Sequence, residues 1–140
     1  MATRRFALLV LLLVPLALAG CATQKHSRDL LQIALYDYQG AIRWGNFAGA
    51  VDFLDPEVLA KKPLDPIALK RYEQIQVTGY TVQGGGAPSE GTFQQAVEIR
   101  FVNRHTQAES AILDRQSWRY DQEQRRWWLV SGLPDITSAR

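Results

Sequence analysis

The sequence is poor in residues that form cross-links or bind metals. It has one cysteine, Cys21, and two histidines, His26 and His105. A single cysteine excludes an internal disulfide, a CxxC redox pair and a cysteine-based zinc site. Neither histidine has a His, Cys, Asp or Glu partner at metal-ligand spacing, so we predict no metal site. A G-x-S-x-G motif and a phosphate-binding loop are also missing, and we expect no cofactor.

The sequence also has no large excess of positive or negative charge. The chain has 16 Lys and Arg against 14 Asp and Glu, and two of the basic residues, Arg4 and Arg5, fall in the leader described below. The remaining chain is therefore balanced in charge. The stretch from Arg125 to Trp128 resembles a basic aromatic patch, but such a stretch is more typical of a strand edge. We therefore expect no nucleic-acid binding.

One long apolar run is present, and it lies near the N-terminus. It extends from Phe6 to Leu18 after a short basic start and is followed by small residues, as in a secretory signal peptide. Its length of about 13 residues is short of the about 20 that a membrane-spanning helix needs. We therefore predict that residues 1–20 are a cleaved leader and not a permanent membrane helix.

The leader ends in Leu18-Ala19-Gly20-Cys21. This motif resembles the lipobox of bacterial lipoproteins. The resemblance implies a diacylglyceryl thioether on Cys21, cleavage before it and acylation of its new amine, which together anchor the protein stably in a membrane. Ala22 replaces the aspartate that retains enteric lipoproteins in the inner membrane, which implies the periplasmic face of the outer membrane. The alternative is an ordinary secretory signal that ends in a cysteine by chance.

The rest of the chain has the length of one domain. We expect residues 21–27 to be the lipidated cysteine and a short tether, residues 28–135 to be the domain, and residues 136–140 to be a tail. Apolar residues at three- and four-residue steps predict a helix over about 28–44, with Ser27 as its N-cap. Shorter helices should follow, and their N-caps are predicted to be Asn46, Asp55 and Asp65.

After Tyr72 the apolar period changes to two, which predicts strands over about 75–82, 93–101, 107–120 and 127–132. Apolar positions shift phase at Gly79, which predicts a β-bulge there. A similar shift between Leu113 and Trp118 predicts a second bulge in the third strand. In the fourth strand we expect Trp128, and not Trp127, to face the helices.

Helices followed by a meander of strands predict an α+β fold, with the N-terminal helices packed on one curved, four-stranded antiparallel sheet. The segment from Arg43 to Phe47 and the hairpin formed by 117–120 and 126–130 resemble the nuclear transport factor 2-like, or cystatin-like, superfamily. This resemblance implies a cone-shaped domain.

The same superfamily includes a steroid isomerase and polyketide cyclases, in which an aspartate abstracts a proton and a tyrosine stabilises the oxyanion. The resemblance therefore implies Asp114 or Asp55 as a candidate base, with Tyr38 as the donor. Asp55 is more simply explained as an N-cap, because a proline follows it. For Asp114 the alternative to a base is an outward position in which it pairs with Arg100 across the sheet.

We therefore favour a non-catalytic module that binds a small apolar ligand, a lipid or an envelope protein partner. An isomerase- or cyclase-like enzyme is the alternative. The residues expected to line the interior of the cone are Tyr38, Phe93, Val97, Phe101, Asp114 and Trp118.

Overall fold

The computed structural model describes residues 24–139, so Cys21 and the predicted leader lie outside the described residues. The helices come first: α1 over 24–43, α2 over Phe47–Ala50, α3 over Pro56–Lys61 and α4 over Pro66–Tyr72. The strands follow as β1 over Ile75–Gly85, β2 over Thr92–Asn103, β3 over Glu109–Asp121 and β4 over Arg126–Leu129. Short 3₁₀ turns occupy Val51–Phe53 and Ile136–Ser138. The predicted α+β class is confirmed.

The predicted caps of the three short helices are also confirmed. The side chains of Asn46, Asp55 and Asp65 accept hydrogen bonds from backbone N–H groups in the first turns of α2, α3 and α4. A proline occupies the first turn of α3 and of α4, where its missing N–H leaves no hydrogen bond unmade.

Helix α1 differs from the prediction at its start. It already includes residues 24–27, which we expected to be part of a tether, and Ser27 is therefore not the N-cap. The Ser27 hydroxyl instead donates to the carbonyl of Gln24 at 2.9 Å.

The end of α1 is a Schellman motif. Gly45 has a φ of 71°. The N–H of Asn46 reaches back to the Ala41 carbonyl at 2.8 Å, and the N–H of Gly45 reaches the Ile42 carbonyl at 3.1 Å. Such bonds satisfy helix carbonyls that would otherwise lack donors, and the left-handed conformation favours glycine.

The four strands form one antiparallel sheet in the order β1-β2-β3-β4. The register between β1 and β2 shifts between Val77 and Gly79, which confirms the predicted bulge. It shifts again between Val82 and Gly84. Bulges of this kind bend a strand and increase its twist.

The predicted bulge in β3 was wrong. The pairing of β2 with β3 runs without a break from Thr92 opposite Arg119 to Val102 opposite Glu109. The apolar alternation in β3 suggested a bulge only because two inward-facing positions carry polar residues, Asp114 and Gln116. Leu113 belongs to the outer face and is 51% exposed.

The outward position considered for Asp114 was therefore wrong as well. Asp114 lies opposite Val97, which is fully buried. Directly paired residues share a face of the sheet, so Asp114 lies on the inner face. Arg100, its partner in that alternative, pairs instead with Glu98 at 2.7 Å.

The fourth strand reverses the expected roles of its two tryptophans. Trp127 joins the core cluster together with Leu129, and its Nε1–H donates to the Ser27 carbonyl of α1 at 2.7 Å. Trp128 lies on the opposite face, where the guanidinium of Arg126 lies 3.9 Å from the centre of its ring. Trp127 therefore connects the last strand to the first helix.

The buried core contains residues of α1 and of the sheet. Leu31, Tyr38 and Ile42 of α1 belong to the same buried cluster as Val97, Ile99 and Trp118 of the sheet. The ring of Tyr38 meets the ring of Trp118 edge to face at 5.3 Å between centroids. None of the helices described over 24–139 combines the length and apolar character needed to cross a membrane.

Candidate functional site

A cluster of polar side chains interrupts the apolar inner face of the sheet. At its centre Gln116, only 1% exposed, donates from Nε2 to Asp114 Oδ2 at 2.8 Å and to the hydroxyl of Tyr80 at 3.0 Å. Its carbonyl oxygen accepts from Nε2 of Gln95 at 2.8 Å. Gln116 thus holds side chains from three strands, β1, β2 and β3, in one network. We refer to Asp114, Gln116, Gln95 and Tyr80 as the polar cluster.

Asp114 carries the acid of this cluster. Burial raises the pKa of its carboxyl above the usual value, and the hydrogen bond from Gln116 opposes part of that rise. Neither of the two ion pairs found among residues 24–139 involves Asp114. A buried carboxyl without a cationic partner favours its neutral form more than a surface carboxyl does.

Three tyrosines from different elements lie near this carboxyl. Burial raises the pKa of Tyr72 and of Tyr80 to about 12, and the charge of Asp114 adds to both shifts. The pKa of Tyr38 is raised well above its usual value, mainly by burial and then by Asp114. All three phenols are therefore protonated donors at neutral pH.

Two buried donors near the cluster lack a hydrogen-bond partner within the described residues, namely the hydroxyl of Tyr38 and Nε1 of Trp118. Most buried polar atoms in proteins are hydrogen-bonded, so two such donors on touching rings are unusual. The ring of Tyr38 meets that of Trp118, and the charge of Asp114 contributes to the raised pKa of Tyr38.

The other candidate acid, Asp55, is fully engaged. Its Oδ1 accepts from the backbone N–H of Glu57 at 2.9 Å, as an N-cap does. Its Oδ2 accepts from Nη2 of Arg119 at 2.7 Å and from Nε at 3.0 Å. Asp55 is 2% exposed, so the arginine is the counter-charge of a buried carboxylate. This geometry fits a structural role.

The six residues predicted to line the cone are brought together on α1 and the inner face of the sheet. Tyr38, Val97 and Trp118 are almost completely buried, and Phe93 lies opposite Trp118 in the β2–β3 register. That they line a pocket stays a prediction. A half-open cavity of the structure is lined by other residues.

This cavity lies between α2 and α4 and measures about 440 Å³. One wall is formed by Phe47 and Tyr72, whose rings stack at 4.2 Å between centroids. The Tyr72 hydroxyl donates to the carbonyl of Pro134 at 2.7 Å, which fixes the ring. Most of the other lining side chains are apolar, and Glu73 is the charged residue of the lining. The full lining consists of Gly45, Asn46, Phe47, Ala48, Val51, Leu64, Leu69, Tyr72 and Glu73. We refer to this space as the α2–α4 cavity.

Sequence reasoning missed both features in part. Gln116 and Gln95 were not identified as inward-facing, although the alternation of Gln95 with Phe93 and Val97 could have revealed the direction of its side chain. The α2–α4 cavity could not be predicted from the sequence. Its lining comes from short helices and connecting segments, and the periodicity of apolar residues does not show how these are placed relative to one another.

No group of three His, Cys, Asp or Glu side chains within residues 24–139 is arranged to hold a metal ion. Comparison with protein-family models, with curated proteins and with solved structures finds no match. The polar cluster and the α2–α4 cavity are therefore the features from which a function can be inferred.

Proposed function

We propose that the chain is a lipid-anchored protein of the bacterial envelope whose domain binds a small apolar ligand in the α2–α4 cavity. The cavity itself carries this proposal. Its volume of about 440 Å³ falls in the range of small-molecule sites, and such sites are mostly apolar with a few polar groups.

The lining favours an apolar body over a charged one. Phe47 and Tyr72 offer flat ring surfaces, and Leu64 and Leu69 add aliphatic surface. The hydroxyl of Tyr72 is already bonded to Pro134, so the ring contributes apolar surface to the cavity. Glu73 at the border disfavours an anionic head group. A neutral or cationic amphiphile fits this lining best.

The test is a substitution that fills the cavity. Ala48 lines it and is exposed, so Ala48→Phe should place a ring in the cavity without disturbing the core. Ala60→Phe is the matched control, because Ala60 is an exposed helical residue outside the lining. We expect an environment-sensitive apolar dye to bind the unaltered protein and Ala60→Phe, and to bind Ala48→Phe at least tenfold more weakly. Equal binding by all three would refute the cavity as the site.

The lipid anchor is a separate part of the proposal and rests on Leu18-Ala19-Gly20-Cys21. Helix α1 begins by residue 24, so no more than about 11 Å of chain separates Cys21 from the folded domain at 3.3–3.6 Å per residue. An anchor on Cys21 would therefore hold the domain against the membrane surface.

Labelling with a tagged fatty acid tests the anchor. Cys21→Ser should abolish the label and leave an unprocessed precursor, because serine has no thiol to acylate. Label that persists in this variant would contradict the lipobox. Ala22→Asp tests the proposed outer-membrane location, since it should shift the protein toward the inner membrane in an enteric host. Unchanged sorting would remove the support for that location.

We also propose that the domain is a cone of the nuclear transport factor 2-like type. The order of helices before strands, the bulged β1 and the contact of Tyr38 with Trp118 support this arrangement. An experimental structure in which α1 lay away from the inner face of the sheet would contradict it.

A second candidate function is proton abstraction next to a carbonyl, with Asp114 as base and Tyr38 as donor. One observation favours it: Asp114 faces inward with a raised pKa beside a tyrosine hydroxyl that has no hydrogen-bond partner among the described residues. Exchange of ketone α-protons with heavy water, lost in Asp114→Asn and in Tyr38→Phe, would support this activity. Exchange that survives both substitutions would exclude it.

A further inference from the structure

The outer face of α1 exposes three large apolar side chains. Trp44 is 88% exposed, Tyr36 is 77% exposed and Ile33 is 57% exposed. Together with Gly40 they follow one another in steps of three or four residues, so they lie side by side along the helix, opposite its buried stripe. Contiguous exposed apolar surface of this kind marks interaction sites. We define the α1 face as Ile33, Tyr36, Gly40 and Trp44.

The start of α1 brings this face close to a membrane. The inference rests on the lipid anchor proposed for Cys21, which no more than about 11 Å of chain separates from Gln24. A helix with its side chains is about 10–12 Å across, so this tether is long enough for α1 to lie flat on the membrane surface. In that orientation the buried stripe of α1, where the ring of Tyr38 meets that of Trp118, faces away from the lipid.

The chemistry of the α1 face suits the boundary between lipid and water. Tryptophan and tyrosine are enriched at the level of the lipid head groups, because each has an apolar ring and a polar atom that stays hydrated. The exposed charged residues that border the face are balanced in sign; they are Lys25, Asp29, Asp37 and Arg43. Apolar contact, and not attraction to anionic lipids, would therefore hold the face against the membrane.

We propose that the α1 face lies against the membrane that carries the anchor, with Tyr36 and Trp44 at the level of the lipid head groups. The anchor keeps the face at a high effective concentration next to the lipid, so three side chains suffice to fix the orientation of the domain. The α2–α4 cavity begins at Gly45, the residue after Trp44. This orientation therefore brings the border of the cavity close to the lipid, which is a source of amphiphilic ligands.

The fluorescence of Trp44 tests this orientation, because the other three tryptophans of the chain, Trp118, Trp127 and Trp128, are buried. The full-length lipidated protein is placed in vesicles of phosphatidylethanolamine and phosphatidylglycerol whose acyl chains carry bromine atoms near the head groups. The emission of Trp44 is obtained as the difference from Trp44→Phe. At 1.5 Å per residue Trp44 lies about 30 Å along α1 from Gln24, so an upright helix would keep it away from the bromine.

We expect bromine to reduce the emission of Trp44 at least threefold, and iodide in the aqueous phase to have little effect. A chain that takes up a tagged fatty acid, but whose Trp44 is quenched by iodide and not by bromine, would overturn the proposed orientation and leave the anchor intact. A chain that takes up no fatty acid would overturn the anchor and this inference with it.

A charged substitution on the α1 face supplies a second test. Ile33→Asp should reduce the bromine quenching of Trp44 at least threefold, because a carboxylate disfavours contact with lipid. Gln32→Asp is the matched control and should leave the quenching unchanged, since it adds the same charge at an exposed position about 100° around the helix. Equal quenching in the two variants would overturn the contact. Protection of Trp44 from iodide in native envelope membranes but not in vesicles would show that a protein covers the face, which would also overturn the proposal.

Discussion

At the scale of single residues, Asp114 makes stability depend on pH. The pKa of its carboxyl is raised in the folded protein, so between the unfolded pKa of about 4 and the folded pKa the folded chain binds more protons. Stability should therefore be greatest at low pH within this window, fall as pH rises through the folded pKa, and level off above it. Thermal unfolding between pH 4 and pH 8 measures this slope.

Asp114→Asn should remove the slope and make the protein more stable at pH 7 than the unaltered protein. The neutral amide avoids the cost of a buried charge and can still accept from Gln116. Glu98→Gln on the outer face is the control and should keep the slope. Parallel pH curves for the unaltered protein and Asp114→Asn would show that the carboxyl is solvated.

The two ion pairs of the described chain predict very different costs of truncation. Arg119→Ala leaves the almost inaccessible Asp55 carboxylate without its counter-charge; because the arginine side chain is itself 40% exposed, the cost should be about 2 kcal/mol. Arg100→Ala removes a pair in which the arginine side chain is 69% exposed, and should cost at most about 1 kcal/mol. Chemical denaturation of both variants measures the difference, and similar losses would contradict it.

At the scale of elements, the end of α1 depends on one glycine. Gly45 adopts a φ of 71°, where a Cβ atom is strained. Gly45→Ala should destabilise the protein by about 1–2 kcal/mol. Gly45→Asn should cost less, because asparagine tolerates this conformation better than alanine does. Equal losses in the two variants, measured by thermal unfolding, would show that the backbone conformation is not the cause.

At the same scale, several features with a local sequence signal were predicted correctly. The caps at Asn46, Asp55 and Asp65 and the bulge near Gly79 follow from short-range chemistry, and the structure confirms them. The phase of β3 was misread because Asp114 and Gln116 break the apolar alternation on the inner face. In β4 the adjacent residues Trp127 and Trp128 are both aromatic, so apolar and polar residues do not alternate there. Only the register with β3 shows which of the two faces the core.

At the scale of the whole molecule, the candidate site was harder to predict from the sequence than the fold was. Tyr38, Asp114 and Trp118 were singled out, and the structure brings them together on the inner side. The α2–α4 cavity depends on how α2, α4 and the segment through Leu64 meet in space. That placement results from tertiary packing, which no single segment of sequence specifies.

The described domain should fold without the residues that precede Gln24. A chain that begins at Gln24 keeps all of α1 as described and the bond from Trp127 to Ser27. With no cysteine beyond residue 21, its stability should not change on adding a reductant. We expect one cooperative calorimetric transition with and without reductant, since domains of this size are generally two-state. A gradual, non-cooperative transition would show that the preceding residues are needed.

The bond between Trp127 and Ser27 joins residues that are 100 positions apart, and this separation determines when the protein can fold. Helix α1 is the first described element to be synthesised, whereas its partner β4 is the last of the four strands. At about 5–20 residues per second, α1 waits about 5–20 s before Trp127 exists. Leu31, Tyr38 and Ile42 remain uncovered by the sheet until Val97, Ile99 and Trp118 have been synthesised. The core can therefore be completed only after the last strand has been made.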